Sequence, residues 1–559
     1  MKQSSAITWI IVTFIALTCG YMVFATQTAS EVKTSEVEAY YDIGNFVQPV
    51  TTKSKTAQLW FNRGLAMCYA FNHEEAARCF EKAIEEDPQL AMAYWGWSYA
   101  LGPNINNLEI PAADIARADS LVNIAAQLAT KAPESEQQLI AALAKRYSKN
   151  APDDRQPMNT AYSDAMRNLH QNSPEDPFIA GLFAESLMIL RPWKHWSADG
   201  EPAEETPEIV SLLESALEKS PDYAMLSHLY IHVMEASPTP EKALEAANSL
   251  QGVMPGVGHL VHMPSHIYVL VGDYEKVISS NQKAIEADKL YLEREGAENF
   301  YSLYRIHNYH FLVYGAMFDG QSELALKTAR EIPKQVPETM LKDWSDFLDA
   351  FMPTALHVLI RFGRWEDILA EPEPADYLPV SRAMRYYARS VAYAATNRVP
   401  EAEAEYEAFQ KERARVPETS ILFNNTSLSI LDVAEKMAAG EIAYRKGEFD
   451  KAFALLREAV QRDDALNYDE PWGWMQPARH ALGALLLEQN KTEEAAKVYR
   501  KDLKKHPKNV WALQGLAECL ERQGKDEESA RLKEQLAESA KRADVKVDRS
   551  CFCRTDVEE

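Results

Sequence analysis

From Ala57 onward one frame recurs, and no other feature restricts the possible folds of this chain so tightly. In the first copy, AQLWFNRGLAMCYAFNHEEAARCFEKAIEEDP, the residues Trp60, Gly64, Ala76, Phe80, Ala83 and Pro88 stand at positions 4, 8, 20, 24, 27 and 32. The pattern describes two amphipathic helices joined by a short turn, with small residues where they cross and a proline ending the second. The frame starts again at Ala224, Gly258, Ile306, Val433, Gln476 and Val510, with weaker copies near Pro177, Asp349 and Ala383. Turns agree with it: Gly272-Asp273-Tyr274, Gly363-Arg364-Trp365, Gly447-Glu448-Phe449 and Gln523-Gly524-Lys525 share one register. Residues 292–305 are inserted before Ile306, and a longer insertion follows Gly102-Pro103-Asn104-Ile105-Asn106. A hairpin of this kind buries its apolar face only against the next one, so a stack is required. Strand signals are few.

The frame resembles the tetratricopeptide consensus. That resemblance implies an all-α solenoid of roughly nine or ten helical hairpins, coiled as a right-handed superhelix with a concave groove lined by the first helix of each pair. The expected division is a leader over 1–25, a linker over 26–56, N-terminal hairpins over 57–176, hairpins with a His-rich groove over 177–370, C-terminal hairpins over 371–535 and a flexible tail over 536–559.

A chain of 559 residues is too long for one compact core, which suits a repeat array. Its formal charge of -24 argues against nucleic acid, since phosphate-backbone binding needs Lys and Arg to displace counterions. Cys68, Cys79 and Cys519 fall on helical stretches and are expected as small apolar core groups. At the N-terminus Lys2 precedes an apolar run from Ala6 to Ala25, and Val23-Phe24-Ala25 offers small residues before Thr26 for cleavage. The run is close to the length that spans a bilayer, so an uncleaved anchor is the alternative; a lipoprotein reading through Cys19 is weaker, because Thr18 stands where a smaller residue is usual. The protein is therefore expected to be exported: periplasmic, extracellular, or held at a membrane by this segment alone.

Histidine placement carries the chemistry. His228 and His232 occupy positions 5 and 9 of one repeat, and His262 and His266 the same positions of the next. His259 adds position 2, His307 and His310 fill positions 2 and 5 of the third repeat, and His357 takes position 9 of the fourth. Chance would put roughly 0.3 of the 13 His in those slots, whereas a shared helical face requires such periodicity. Steps of three and four keep the rings on one face. The tetratricopeptide resemblance implies that these positions look into the concave groove, so that all eight line one channel. HxxxH on a helix presents two imidazoles to one ion and a neighbouring helix supplies a third, which suits zinc or copper, and also nickel or iron. Glu235 continues the face as a ligand, a partner behind a ligand, or a general base for metal-bound water. Met263-Pro264 interrupts its helix and is expected to aim His259 and His262 differently from His266. His480 holds position 5 alone and reads as a hydrogen-bonded core residue.

Tyr314, at position 9, reads as a groove-lining aromatic or a phenol contact to ligand. Cys551-Phe552-Cys553 could ligate a soft metal, oxidise with a partner, or be an incidental pair. The blocks GPNIN, HLYIH, HMPSHIY and SCFC together resemble a family of exported bacterial tetratricopeptide proteins with no established activity. No Gly-rich phosphate loop, nucleophile elbow or HExxH is present. The favoured function is an exported scaffold that binds a protein or peptide and carries a metal site. The alternative is a metalloenzyme, a zinc-type hydrolase or a copper or iron oxidoreductase, in which Glu235, Tyr314 or Arg305 assists.

Overall fold

The computed structural model describes Val37 and residues 39–148 and 154–555, so the apolar leader lies outside the described residues. The chain is an all-α tetratricopeptide-type solenoid. Helix Lys55–Tyr69 turns and returns as His73–Glu86, with the side chains of Ser54 and Asn72 accepting the first free N–H groups of each. Gly64 permits the crossing: a Cβ there would sit 2.7 Å from the Phe80 ring. The turn within each pair needs one left-handed residue, and Gly272, Gly363, Gly447 and Gly524 supply it at φ of 72°, 65°, 75° and 69°. Phe71 and Asn490 hold the same place, each at φ 55°, without glycine's freedom.

Two compact units form. The first holds the chain up to Lys194 together with Ser211–Leu229 and Gln251–Leu260. Here the insertion after the GPNIN block is helical, as Ala112–Leu128, Glu134–Leu143 and Gln156–Asn172. The segment from residue 39 to Ser54, expected as linker, is tied to the same unit: Gly256, in the turn before Gly258, donates to the Asp42 carbonyl at 2.8 Å, and the Gln48 N–H donates to Asn62 on helix Lys55–Tyr69 at 3.2 Å.

The second unit holds His195–Val210, Tyr230–Leu250 and the chain from Val261. The residues inserted before Ile306 lengthen helices rather than forming a loop, since Tyr274–Glu295 and Ser302–Phe318 absorb most of them. Between Val399–Arg413 and Ser427–Arg445 lies the one ladder among the described residues, Ile421–Leu422 against Asn425–Thr426. No described helix is long and apolar enough to cross a membrane.

The C-terminal segment corrects the expectation of a flexible tail. Asp544 caps helix Ser322–Ala329 by accepting the N–H groups of Ser322 and Glu323 at 2.6 and 2.9 Å. Ser550 bonds to the Tyr499 hydroxyl at 2.6 Å and donates to the His480 carbonyl at 2.9 Å, and Arg361 donates to its carbonyl. Arg554 pairs with Glu518 at 2.7 Å. Cys551 and Cys553 are joined to each other as a disulfide, with Cys553 buried. Cys68, Cys79 and Cys519 are free and buried.

Candidate metal centre

Four first helices of successive pairs carry the histidines. His228 and His232 stand on Ala224–Met234, His307 and His310 on Ser302–Phe318, and His357 on Thr354–Arg361. His259 and His262 stand on one short helix, Gly258–His262, and His266 in the first turn of the next, Pro264–Leu270. Pro264 lacks an N–H, so the break falls where the sequence places it. Its expected consequence does not follow, because Met263 keeps right-handed helical angles and His262 and His266 converge instead of diverging.

In the second unit the convergence is fixed by partners behind the rings. His262 Nδ1 lies 2.7 Å from Asn281 Oδ1, and the Asn281 amide N–H donates to the Val277 carbonyl at 2.8 Å, which turns its oxygen toward the ring. His262 therefore carries its hydrogen on Nδ1 and keeps a lone pair on Nε2. His266 Nδ1 lies 2.7 Å from Glu235 Oε2, with the Glu470 carboxylate against the same nitrogen, so its hydrogen also sits on Nδ1. The two Nε2 atoms meet at 2.7 Å. Facing lone pairs repel at that distance, so the space between them favours a cation, either a shared proton or a metal ion. A tetrahedral ion with bonds near 2.0–2.1 Å would set the nitrogens about 3.3 Å apart, which the rings reach by separating roughly half an ångström.

His307 completes the group: one ligand atom each from His262, His266 and His307 lie within 4.8 Å of one another. Its Nδ1 is buried with no hydrogen-bond partner among the described residues. Burial, and then the neighbouring imidazoles, hold its pKa well below the usual range. His232 Nδ1 lies 2.9 Å from Glu235 Oε1, so Glu235 bridges His232 and His266, and these three also have ligand atoms within 4.8 Å. Burial, and then the Glu470 charge, push the Glu235 carboxyl well above the usual range. Phe311 stacks on His266 at 5.3 Å and closes the apolar side.

The remaining candidates have surroundings of their own. In the first unit, His228 Nδ1 donates to the Tyr69 carbonyl at 2.6 Å and its ring lies 5.0 Å from that of His259, with Phe71 against both. In the second unit His310 and His357 line a separate cavity, so its rings form two sets rather than one continuous row. Burial brings His310 down to about 3 and His357 to about 4. Tyr314 is fully buried, its ring stacked on Phe318 and Trp472. Arg305 is held by Ser302 at 3.2 Å and Gln335 at 2.8 Å. His480 is a hydrogen-bonded core residue, accepting from Arg361 at 2.8 Å and donating to Asp502 at 2.9 Å. Cys551 and Cys553 border the space beside Arg361 and His480, and neither joins a candidate metal group.

Two repeat-family matches agree with this helix-pair architecture. Tetratricopeptide repeat models match residues 57–90 and 486–546. No curated protein matches the chain. Among solved structures, the human IFIT1 dimer with m7Gppp-AAAA is similar at 10% identity and a TM-score of 0.32, over 92% of this chain and 94% of that one. Yeast Tom70 is similar at 12% identity and a TM-score of 0.27, over 88% of this chain and 93% of that one. The tetratricopeptide frame located the His-bearing helices, but it could not supply Glu470 or Asn281. Asn281 lies on the second helix of its pair, Tyr274–Glu295, and Glu470 in the connection NYDEPWGWMQP, where no periodicity marks it. A buried acid flanked by Tyr468, Pro471 and Trp472 is the only hint the sequence offers.

Proposed function

We propose that this chain is an exported tetratricopeptide scaffold for a protein or peptide partner, and that His262, His266 and His307 hold one divalent ion, zinc or copper, within it. The observation that carries the reading is the meeting of two imidazole Nε2 atoms whose hydrogens are drawn to Nδ1 by Asn281 and by Glu235 with Glu470. Ligating histidines commonly donate their second nitrogen to a carboxylate or carbonyl in this way. Burial and the Glu470 charge disfavour ionised Glu235, and a divalent cation beside the pair would offset that repulsion. Such an ion would clip helices Gly258–His262 and Pro264–Leu270 to Ser302–Phe318, giving it a structural role in a binding module. Export is supported by the apolar run Ala6–Ala25 and by the Cys551–Cys553 disulfide, since disulfides persist in oxidising compartments. Titrating the metal-stripped full chain with zinc tests the site: one tight equivalent is expected, and the same affinity in H262Q/H266Q would rule these residues out.

A further inference from the structure

We infer that His310, His357, Met384 and Met475 form a second metal site, distinct from the first, that takes monovalent copper. The four side chains line one cavity of about 20 Å³ in the second unit, room for a single ion or a single water. They come from different parts of the chain: His310 from Ser302–Phe318, His357 from Thr354–Arg361, Met384 from Pro379–Ala395 and Met475 from the connection before Ala478–Glu488.

Both rings are buried, and neither Nδ1 has a hydrogen-bond partner among the described residues. An unmet buried polar atom costs about 1–3 kcal/mol, so a ligand that engages the rings is favoured. Of the cavity's hydroxyls, Thr354 is committed as a donor to the Phe351 carbonyl at 2.6 Å, and Ser427 accepts from Ser420 at 2.9 Å. Each ring is also fixed by an aromatic edge, His310 by Phe351 at 5.2 Å and His357 by Trp474 at 5.3 Å.

The donor set selects the ion. Two imidazoles and two thioethers are neutral and soft, and no carboxylate lines the cavity. Thioethers favour copper(I) over zinc, magnesium or calcium. A single positive charge in a site without anions also carries a smaller desolvation cost than a double charge. The neighbouring group has the opposite character, with Glu235 and Glu470 behind its imidazoles.

The test uses the full chain carrying H262Q/H266Q and C551S/C553S, which removes the other imidazole pair and the two tail sulfurs. Copper(I) is held reduced by ascorbate and competed against a chromophoric copper(I) chelator. One tightly bound copper(I) is expected, with sulfur in its X-ray absorption shell. Adding M384L/M475L should weaken binding at least as much as losing groups behind a ligand does, about 10–100-fold, while helical circular dichroism is kept. If that pair fails to fold, the absorption spectrum of the parent protein still decides. No copper retained, meaning that the cavity holds only a water, would overturn the inference. So would a copper shell without sulfur, or equal affinity after both Met substitutions. Because zinc binding at His262 and His266 is measured separately, either site can fail without the other.

Discussion

His262 and His266 bring their Nε2 atoms to 2.7 Å while each ring's Nδ1 faces an acceptor, Asn281 for one and Glu235 with Glu470 for the other. A cation placed between the two rings would meet a lone pair from each. Asn281 matters through its carbonyl alone. Replacing it with Leu removes the acceptor that fixes the His262 tautomer, so zinc affinity should fall about 10–100-fold with the ligands themselves intact. Zinc titration of N281L against N281D, which keeps an acceptor, checks this; equal affinity in N281L and the parent would contradict it.

The C-terminal segment acts as a strap on the second unit and lies outside the metal group. Truncation after Lys546 removes Ser550, the disulfide and Arg554, leaving Arg361 and Tyr499 without their tail partners. Thermal stability should drop measurably while the zinc stoichiometry stays at one. A truncated protein that loses zinc but not stability would put the tail in the site instead.

How much of this was legible in the sequence depends on the range of the contact. Gly64 facing Phe80, the left-handed turns at Gly272 and Gly363, and the HxxxH spacing are short-range consequences of a helical pair, and periodicity reveals them. The pairing of Glu470 with His266, and of Ser550 with Tyr499, depends on which distant segments the stack brings together, and no local pattern encodes that. Within the second unit the histidines fall into two sets for the same reason: phase puts them on one helical face, but each neighbour's side chains decide which rings meet.

Tyr499 is clasped between Gly483 and Gly515, where added Cβ atoms would approach its ring to 2.5 and 2.2 Å. Gly to Ala in a helix normally stabilises by about 1 kcal/mol. Here overpacking should win, because the ring is also tied to Ser550, giving a net loss of about 1–3 kcal/mol for G483A. Chemical denaturation of G483A decides between the signs, and a more stable variant would contradict the packing.

His506 is buried against Trp472, and burial, before any nearby charge, brings it down to about 3 from the usual value near 6.5. Between those values the unfolded chain takes up a proton that the folded chain refuses. Its contribution to stability is thus whole above pH 6.5 and shrinks as pH falls toward 3, by about 1.4 kcal/mol per pH unit. The stability difference between the parent and H506Q should narrow over that window; a difference independent of pH would be inconsistent with a neutral buried ring.

The most direct measurement is X-ray absorption on the zinc-loaded full chain. The expected shell contains three imidazoles at about 2.0–2.1 Å, no sulfur, and a reduced imidazole count in H262Q/H266Q. A chain that binds no zinc after metal stripping and reloading, or a shell of solvent oxygens alone, would mean that the cation between His262 and His266 is only a proton.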